Sequence, residues 1–503
     1  MILPRLLPGI AQLSRVRYSP FYTRRQTSTA ASTMATPYRI HLVPENTGLL
    51  KIPTSGEAAR KASELLQQDI RDHHVFFNDD GFHNHIPHHI FALYGTGASA
   101  ASLQRAYDAN ASYQRPALPL HSDSPSPSSG PPEPPSDWAA ASKLLGRASR
   151  YPDLLAFFQR EMDRRGPGGW RDVLVEHALV ADRADARATD TLVRLLSGFV
   201  HPLIQLMYGV EWEQPAVVAE ALAQACVHGD EIRDFLVGAE ALADEKHPVG
   251  GGEEEGDDYR MPPIASLYEQ AAADAAIAGS VRNEDGNKLV QGALTRARDE
   301  LVALAAKVRV RPGELEERTV EMFNQAVFVA ASAAAHPTKH PKFDFFLMHH
   351  VNVAPIFLTV NAAPWIPTDA KVRLLEWKIR LDLAQYAARA VPPMSVDRIA
   401  GYRPRADPST AAAAAAAEPI DVASRLHDFD DDGHAIKLAR AAAICMRASA
   451  PYEDRDWMRL RGRENWMKVL NMIADSVEAP GERWVRTTGL KEAWRDIEDA
   501  PKL

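Results

Sequence analysis

Apolar side chains recur at every third or fourth position along most of the chain, which is the spacing of one face of an α-helix. Two stretches carry the pattern clearly: Leu192, Leu195, Leu196 and Phe199, and Leu374, Leu375, Ile379 and Leu383. The uncharged run 326–335 predicts a buried helix. Two-residue alternation is rare, and no Asn-Gly or Asp-Gly turn separates β-branched segments. The pattern therefore predicts an all-α protein.

Three stretches interrupt this helical pattern. Residues 116–137 contain eight prolines, 247–260 combine glycines with acids, and 404–418 include seven consecutive alanines. Such compositions favour extended or poorly ordered chain. The segments between them carry no independent fold signature. We therefore predict one large, bundle-like helical domain over 35–503, with these three stretches as disordered surface insertions.

The first 34 residues have a composition of their own. They contain five arginines and many serines and threonines, and Glu45 is the first acid in the chain. This composition is typical of a mitochondrial transit peptide. Two alternatives are a disordered N-terminus and translation from Met34, which would leave the protein cytoplasmic.

Composition and charge narrow the function classes. The 503 residues are 46% hydrophobic and 24% charged, with a net charge of −9. The acidic balance argues against a nucleic-acid partner, and no uncharged apolar run is long enough to span a bilayer. The two cysteines, Cys226 and Cys445, rule out a disulfide scaffold. A small-molecule partner remains, with the oligomeric state left open.

The densest chemistry lies in the segment 82–94, which carries four of the eighteen histidines. Pro87 is suited to the first turn of a helix. His85 and His89 are four residues apart, and His85 and His88 three, so either pair can lie on one helical face and bind one metal ion. The alternative is a polar helix start with hydrogen-bonded imidazoles.

Two further histidines lie in apolar segments. His349 follows Asp344 among Phe, Leu and Met side chains, and a buried imidazole there needs a carbonyl or a metal as its partner. Asp344 is the predicted N-cap of this helix. His228 lies eight residues after Glu220 on one predicted helix face, a spacing common enough to favour a structural role for His228.

The acidic segment 428–433 matches the first half of a calcium-binding EF-hand loop. We reject that motif because Ala439 stands where the loop needs a bidentate glutamate. His434 and Lys437 follow at a three-residue spacing on one face. A lysine becomes a metal ligand only when its neutral amine captures CO₂ as a carbamate.

The segment 95–100 fits the dinucleotide-binding pattern G-x-G-x-x-A. That motif needs a preceding strand and a following βαβ unit, whereas a predicted helix precedes it here. We interpret Gly95 and Gly97 as glycines at the end of a helix.

Taken together, these segments resemble the questin oxidase-like family of helical oxidoreductases from fungal polyketide pathways. The resemblance rests on 82–99 (FHNHIPHHIFALYGTGAS), 103–116, 201–228 (beginning HPLIQLMYGVEWEQ), 342–351 (KFDFFLMHHV) and 431–441 (DDGHAIKLARA), in the family's order. It implies an oxygenase of secondary metabolism that opens an aromatic polyketide such as an anthraquinone. The implied chemistry is Baeyer–Villiger-type oxygen insertion or dioxygenative cleavage, with O₂ and NADPH.

The resemblance also implies a non-haem iron(II) held by several histidines and a carboxylated lysine. Carried over residue by residue, the ligands would be His85, His89, His201, His349, His434 and Lys437. These positions lie on four predicted helices that would converge inside a bundle. The set contains one histidine more than a four-histidine site needs, and His85, His88 and His89 stay unranked. Gln205 stands where the family commonly has a second histidine.

The same resemblance suggests residues that act on the substrate. Candidate bases for removing a phenol proton are Glu211, His88 and His228. Candidate walls for a flat aromatic ligand are Tyr208, Trp212, Phe345 and Phe346.

Two other functions stay open. The first is a metal-dependent hydrolase, which would need paired histidine and aspartate ligands for two metals. The second is a protein that has kept the family's fold but only binds its ligand, which the replacement at Gln205 would allow.

Overall fold

The three- and four-residue spacing of the apolar side chains corresponds to helices in the structure, which is a computed structural model. It describes residues 34–121, 133–248, 259–405 and 418–500. Residues 35–503 form one unit. Its first eleven α-helices are α1 Gly56–Asp72, α2 Ile86–Gly95, α3 Ala100–Ala111, α4 Trp138–Ala141, α5 Tyr151–Arg164, α6 Gly169–His177, α7 Ala186–Leu196, α8 His201–Glu211, α9 Pro215–Val227, α10 Arg233–Lys246 and α11 Ile264–Ala273.

The remaining α-helices of the described ranges are α12 Ala275–Ala278, α13 Leu294–Arg296, α14 Arg298–Ala305, α15 Leu315–Ala334, α16 Leu347–Asn352, α17 Ile356–Ala362, α18 Thr368–Ala387, α19 Val396–Ala400, α20 Pro419–Ser424, α21 His434–Ser449 and α22 Arg463–Glu478. Across the four described ranges there is no β-strand, only isolated bridges such as Phe76 with His83. The predicted all-α class is confirmed.

The predictions for the N-terminus and for the insertions lie largely outside the described residues. Residues 1–33, 122–132, 249–258 and 406–417 are not described. The transit-peptide interpretation and the predicted disorder of 116–137, 247–260 and 404–418 therefore stay predictions.

The core is built around helices that are buried on nearly every side. The predicted helix over 326–335 is the second half of α15, and its residues are buried. Leu374, Leu375, Ile379 and Leu383 in α18 have no exposed surface. The prediction for Phe199 is wrong: α7 ends at Leu196, and the Phe199 side chain is 37% exposed because the chain turns before α8. No helix in the described part of the chain has both the length and the apolar character to span a membrane.

Prolines fix the starts of two helices that point into one region of the core. Pro87 lies in the first turn of α2, as predicted, and Pro202 in the first turn of α8. Proline is tolerated there because its missing N–H would have no partner inside the helix. Helix α2 packs against α8 and α21, and α16 also packs against α21. These four helices surround the candidate site.

Candidate metal centre

Four histidines from four segments converge in the core. They are His85, His201, His349 and His434, and their possible ligand atoms all lie within 4.8 Å of one another. All four residues are buried. They form the one group of at least three His, Cys, Asp or Glu residues with metal-binding geometry among the residues that the structure covers.

Three of these histidines stand at helix starts. His85 is the N-cap residue of α2, while His201 and His434 are the first residues of α8 and α21. The positive ends of three helix dipoles therefore meet around the cluster. Such ends disfavour a protonated imidazole and favour an anionic group beside it.

Every histidine of the cluster uses its Nδ1 atom outside the cluster. Nδ1 of His85 lies 2.8 Å from Oδ2 of Asp432, and Nδ1 of His434 contacts Oδ1 of the same carboxylate. Nδ1 of His201 lies 2.7 Å from the carbonyl oxygen of Gly198, and Nδ1 of His349 lies 2.6 Å from that of Phe345. Carbonyl and carboxylate oxygens only accept, so each Nδ1 carries the hydrogen.

The four Nε2 atoms are consequently left with free lone pairs directed at one another. Nε2 of His85 and Nε2 of His201 are 2.9 Å apart, although neither carries a hydrogen to donate. Nε2 of His349 and Nε2 of His434 are buried, and no hydrogen-bond partner for either is found in the described ranges. Imidazoles held at Nδ1 by an acceptor while Nε2 points at a common centre are the usual arrangement of metal-ligating histidines. The residues present fit a metal ion.

The electrostatics keep these imidazoles neutral, the form that binds a metal. Burial lowers the pKa of His434 to about 3, with Lys437 adding to the effect and Asp432 opposing it. Burial, together with neighbouring imidazoles, also holds the pKa values of His201 and His349 well below the ordinary value. Against the opposing effect of burial, His434 and His85 hold the pKa of Asp432 well below its usual range, so this carboxylate stays ionised.

Lys437 lies beside the cluster, one turn into α21. Its Nζ is buried and lacks a hydrogen-bond partner across the described chain. Burial lowers the pKa of Lys437 to about 8. Its charge lowers the pKa values of five histidines, which places the amine next to the centre: His85, His88, His89, His349 and His434.

His89, predicted as a ligand, does not join the convergent set. The N–H of His89 donates to the carbonyl oxygen of His85 at 2.9 Å, so the two residues are one helical turn apart, but His89 is not among the four that converge. The ring of His89 packs against the backbone of Gly433, where a Cβ would lie 2.5 Å from Cγ of His89. Gly433 also has a φ of +85°, so both space and backbone geometry require glycine there.

The turn before His201 is strained. Gly198, Phe199 and Val200 have successive φ values of +55°, +53° and +60°. This left-handed region is unfavourable for a β-branched residue such as Val200, so the surrounding packing must hold it. The turn aims the Gly198 carbonyl at Nδ1 of His201, and a side chain at Gly198 would overlap the ring of His228.

A second pair of histidines, His83 and His228, adjoins the centre. The ring of His83 stacks face to face on that of His201, with centroids 3.9 Å apart and planes at 3°. Nε2 of His83 lies 2.8 Å from Nε2 of His228, so one hydrogen is shared between them. Sequence reasoning missed His83. The two-residue spacing from His85 was an available signal, because in extended chain it places both side chains on one side.

The predicted residues near the end of α8 lie away from the centre. Glu211 is ten residues beyond His201, about 15 Å along the helix axis. It forms a buried ion pair with Arg440 and accepts from the N–H of Leu49 at 2.8 Å. Trp212 is buried and stacks on Phe91 at 6.4 Å.

Tyr208, His88 and Gln205 lie between these two regions. The ring of His88 lies 6.0 Å from that of His201 and 6.1 Å from that of Tyr208. His88 is fully buried, and neither of its ring nitrogens has a partner among the residues described. Gln205 donates to Glu220 at 3.0 Å.

Of the predicted wall residues, Phe345 adjoins the centre, and Phe346 lies beside Phe345 with ring centroids 5.5 Å apart. The ring of Phe345 lies 4.9 Å from that of His434 and 5.0 Å from that of His349. Phe346 packs on Phe199 at 4.6 Å. Phe345 and Phe346 are partly exposed, so this aromatic face lies between the centre and solvent.

The acidic segment before α21 is not a calcium loop. Asp428 pairs with Ser102 and Arg105, whereas Asp431 accepts from the N–H groups of Gly433 and Ala435. Asp432 binds two imidazoles instead. The acids therefore point at separate partners.

The glycine-rich segment 95–100 joins α2 to α3 without a strand. Gly97 has a φ of +83° and follows the end of α2, as predicted. Gly95 also lies at the end of α2, but the capping residue is Thr96, and Gly95 does not have a left-handed backbone. A Cβ on Gly95 would lie 2.8 Å from Nε of Arg440, so packing explains this glycine. Asp344 accepts from the N–H groups of Phe346 and Leu347, consistent with its predicted capping role.

Comparison with known proteins gives one family match. The sequence model described as questin oxidase-like matches residues 82–442. The chain is 32% identical to the oxidoreductase AflY of Aspergillus parasiticus, over 93% of this chain and 95% of the relative. It is 33% identical to the Baeyer-Villiger oxidase ptaJ of Pestalotiopsis fici, over 93% of this chain and 99% of that relative. It is 30% identical to the questin oxidase of Aspergillus fumigatus, over 92% of this chain and 99% of that relative.

Proposed function

Since this chain belongs to the questin oxidase-like family, we propose that it opens a ring of an aromatic polyketide, such as an anthraquinone, with O₂. It is an oxidoreductase, as the relatives named Baeyer-Villiger oxidase and questin oxidase are. The observation that carries the proposal is the convergence of four Nε2 lone pairs in a buried, neutral histidine cluster.

The metal that we propose for this cluster is iron(II). His85, His201, His349 and His434 would hold it, because imidazole combined with carboxylate suits iron among the common metals. Iron with an open coordination position would supply the one-electron and O₂ chemistry that no side chain provides. Asp432 would fix the orientation of two ligands through their Nδ1 hydrogens.

The fifth ligand in this proposal is Lys437 as a carbamate. The neutral amine attacks CO₂, a C–N bond forms and a proton leaves, which converts the amine into an anionic carboxylate-like group. The buried Nζ beside five histidines supports this assignment. Three helix starts around the centre also favour an anion there.

We propose that the substrate lies on the aromatic face formed by Phe345 and Phe346. Both rings are partly exposed, Phe345 contacts His349 of the cluster, and Phe346 extends the same face, which suits a wall for a flat ligand. Tyr208 and Trp212 are buried on the other side of the cluster, which argues for a packing role.

Of the candidate bases, His228 has the best support. It is partly exposed, and the proton it shares with His83 lies one ring away from His201. His88 is enclosed in the core, and Glu211 is already paired with Arg440. Burial lowers the pKa of His228 to about 4, so its ring is neutral and would relay the phenol proton towards solvent without holding it.

The reaction type and the source of electrons are linked. Baeyer–Villiger insertion places one oxygen atom of O₂ in the product and the other in water, which requires two electrons from a donor such as NADPH. Dioxygenative cleavage places both atoms in the product and requires no donor. We propose the first, with NADPH as the donor. The support is the Baeyer-Villiger names of several relatives.

The two alternatives have less support. A two-metal hydrolase needs a second ligand group with aspartates, whereas the described ranges contain one group and it consists of histidines. A ligand-binding protein without activity would not require four lone pairs directed at one point.

The test supplies iron-loaded and iron-free protein with questin, NADPH and ¹⁸O₂. The iron-loaded protein should form a ring-opened product carrying one ¹⁸O atom, with one NADPH consumed per product, and the iron-free protein should fall to background. Two labelled atoms without NADPH consumption would change the reaction type to dioxygenation. Equal turnover by both preparations would contradict the iron centre.

A further inference from the structure

The buried arginines of this protein differ in whether their guanidinium groups have hydrogen-bond acceptors. Arg373 binds Glu240 through two nitrogens at 3.0 and 2.8 Å, and Arg440 pairs with Glu211. Arg380 donates to the carbonyl oxygens of Ala305 and Val308 and pairs with Glu376. Each of these guanidinium groups thus has an anionic or carbonyl acceptor, as a buried charge requires.

Arg389 has no such acceptor. It is 2% exposed, and neither Nε nor Nη1 has a hydrogen-bond partner among the described residues. The nearby carboxylate of Asp344 is already saturated, since its oxygens accept from the backbone N–H groups of Phe346, Leu347, Thr487 and Thr488. The charge of Asp344 therefore compensates this guanidinium in part, but two of its buried nitrogens make no hydrogen bond, which is unfavourable unless something else binds them.

The backbone around Arg389 is fixed. Arg389 follows the end of α18, and the next two residues, Ala390 and Val391, have φ values of +57° and +40°. The carbonyl oxygen of Arg389 accepts from the N–H of Gly489 at 3.0 Å. A Cβ at Gly489 would overlap this carbonyl group, so the two segments are in direct contact. The side chain thus leaves from a rigid and strained segment.

Arg389 lies behind the aromatic face beside the histidine cluster. Its Cζ is 4.2 Å from the centroid of the Phe346 ring, which fixes the plane of the guanidinium. Phe346 in turn packs on Phe199 at 4.6 Å, and Phe199 is 37% exposed two residues before His201. The guanidinium therefore adjoins the aromatic rings that lead to the histidine cluster.

We propose that Arg389 is the anion-binding subsite of the substrate pocket. It takes a carboxylate or an ionised phenol of a flat aromatic ligand whose rings lie against Phe199 and Phe346. The Nε and Nη1 atoms lack acceptors, and each forms with Nη2 a fork that can bind such oxygens in pairs. This inference rests on the proposed function only in identifying the ligand as the substrate.

The test measures the binding of two matched probes to the full chain, by quenching of tryptophan fluorescence. Anthraquinone-2-carboxylate carries the anion, and anthraquinone-2-carboxamide has nearly the same shape without the charge. We expect Arg389→Met to weaken carboxylate binding about 10- to 100-fold, the loss of a charged hydrogen-bonded pair. Carboxamide binding should change less than about 3-fold. Arg389→Lys, which keeps the charge but loses the fork, should fall between.

Arg483→Met is the control for the loss of one positive charge, because Arg483 stacks on Phe429 and not on Phe199, Phe345 or Phe346. It should leave both affinities unchanged. A third probe, 2-hydroxyanthraquinone, tests whether an ionised phenol can replace the carboxylate. If it binds more tightly once its phenol is ionised, and Arg389→Met loses that gain, the subsite also binds a phenolate. Equal losses for carboxylate and carboxamide, or no loss for either, would overturn the proposal.

Folding and catalysis are controlled separately. Removing an unpaired charge should leave the melting temperature of Arg389→Met equal or higher. Arg440→Met, which leaves Glu211 unpaired, should lower it. Because the binding measurement needs no turnover, a protein that discriminates the probes but opens no ring would retain the subsite and reject the oxygenase.

Discussion

Replacing Asp432 by Asn is expected to weaken iron binding about 10- to 100-fold, the range for loss of a partner that orients metal ligands. The two oxygens of Asp432 accept hydrogen bonds from Nδ1 of His85 and from Nδ1 of His434. An asparagine has one acceptor oxygen, and its NH₂ group would face an Nδ1–H donor. One of the two ligands would therefore lose its orientation. Iron content after dialysis against a graded chelator measures the change.

Asp431→Ala is the matched control for this experiment. Asp431 is the preceding acid, but its oxygens accept from the N–H groups of Gly433 and Ala435 at the start of α21. Its loss should cost about 1 kcal/mol of stability, as for other helix caps, with iron binding preserved. If Asp431→Ala loses as much iron as Asp432→Asn, or if neither loses any, the assigned role of Asp432 is wrong.

Replacing Lys437 by Ala is expected to remove most of the bound iron, because the carbamate supplies the anionic ligand among four neutral ones. Added formate or acetate should restore part of the iron, since a small carboxylate fits the space left by the side chain. Protein labelled with ¹³C-bicarbonate should show a carbamate resonance that disappears in Lys437→Ala.

The chain offers a closely matched control in Lys342. This lysine is also buried, and burial lowers its pKa to about 8, the same value as for Lys437. Its Nζ, however, donates to the carbonyl oxygens of Ser476 and Ala479 at 2.6 and 3.1 Å. Lys342→Ala should retain both the carbamate resonance and the iron. Unchanged iron in Lys437→Ala would rule out the carbamate ligand.

The fold class could be predicted from the sequence because apolar periodicity and core burial coincide in the long helices. The four apolar positions predicted from the spacing in α18 are buried, and so is the uncharged half of α15. The same reasoning failed for Phe199. Three consecutive residues with left-handed backbone end the helical spacing there. The backbone preference of a β-branched residue such as Val200 does not indicate that conformation.

The site could be predicted in part, and the reason differs from residue to residue. The resemblance singled out five histidines, and the structure brings four of them together. The resemblance also included His89, whose ring packs against Gly433 and does not join the other four. Asp432 and Arg389 were not identified, because their importance depends on contacts with residues more than thirty positions away.

The central claim is that one iron ion is bound by the histidine cluster. Diffraction data collected on either side of the iron absorption edge, from crystals of iron-loaded protein, test it most directly. The account predicts a single anomalous peak within bonding distance of Nε2 of His85, His201, His349 and His434, with further density joining it to Nζ of Lys437. A peak at another position, or no peak in crystals of protein that opens its substrate, would contradict the account.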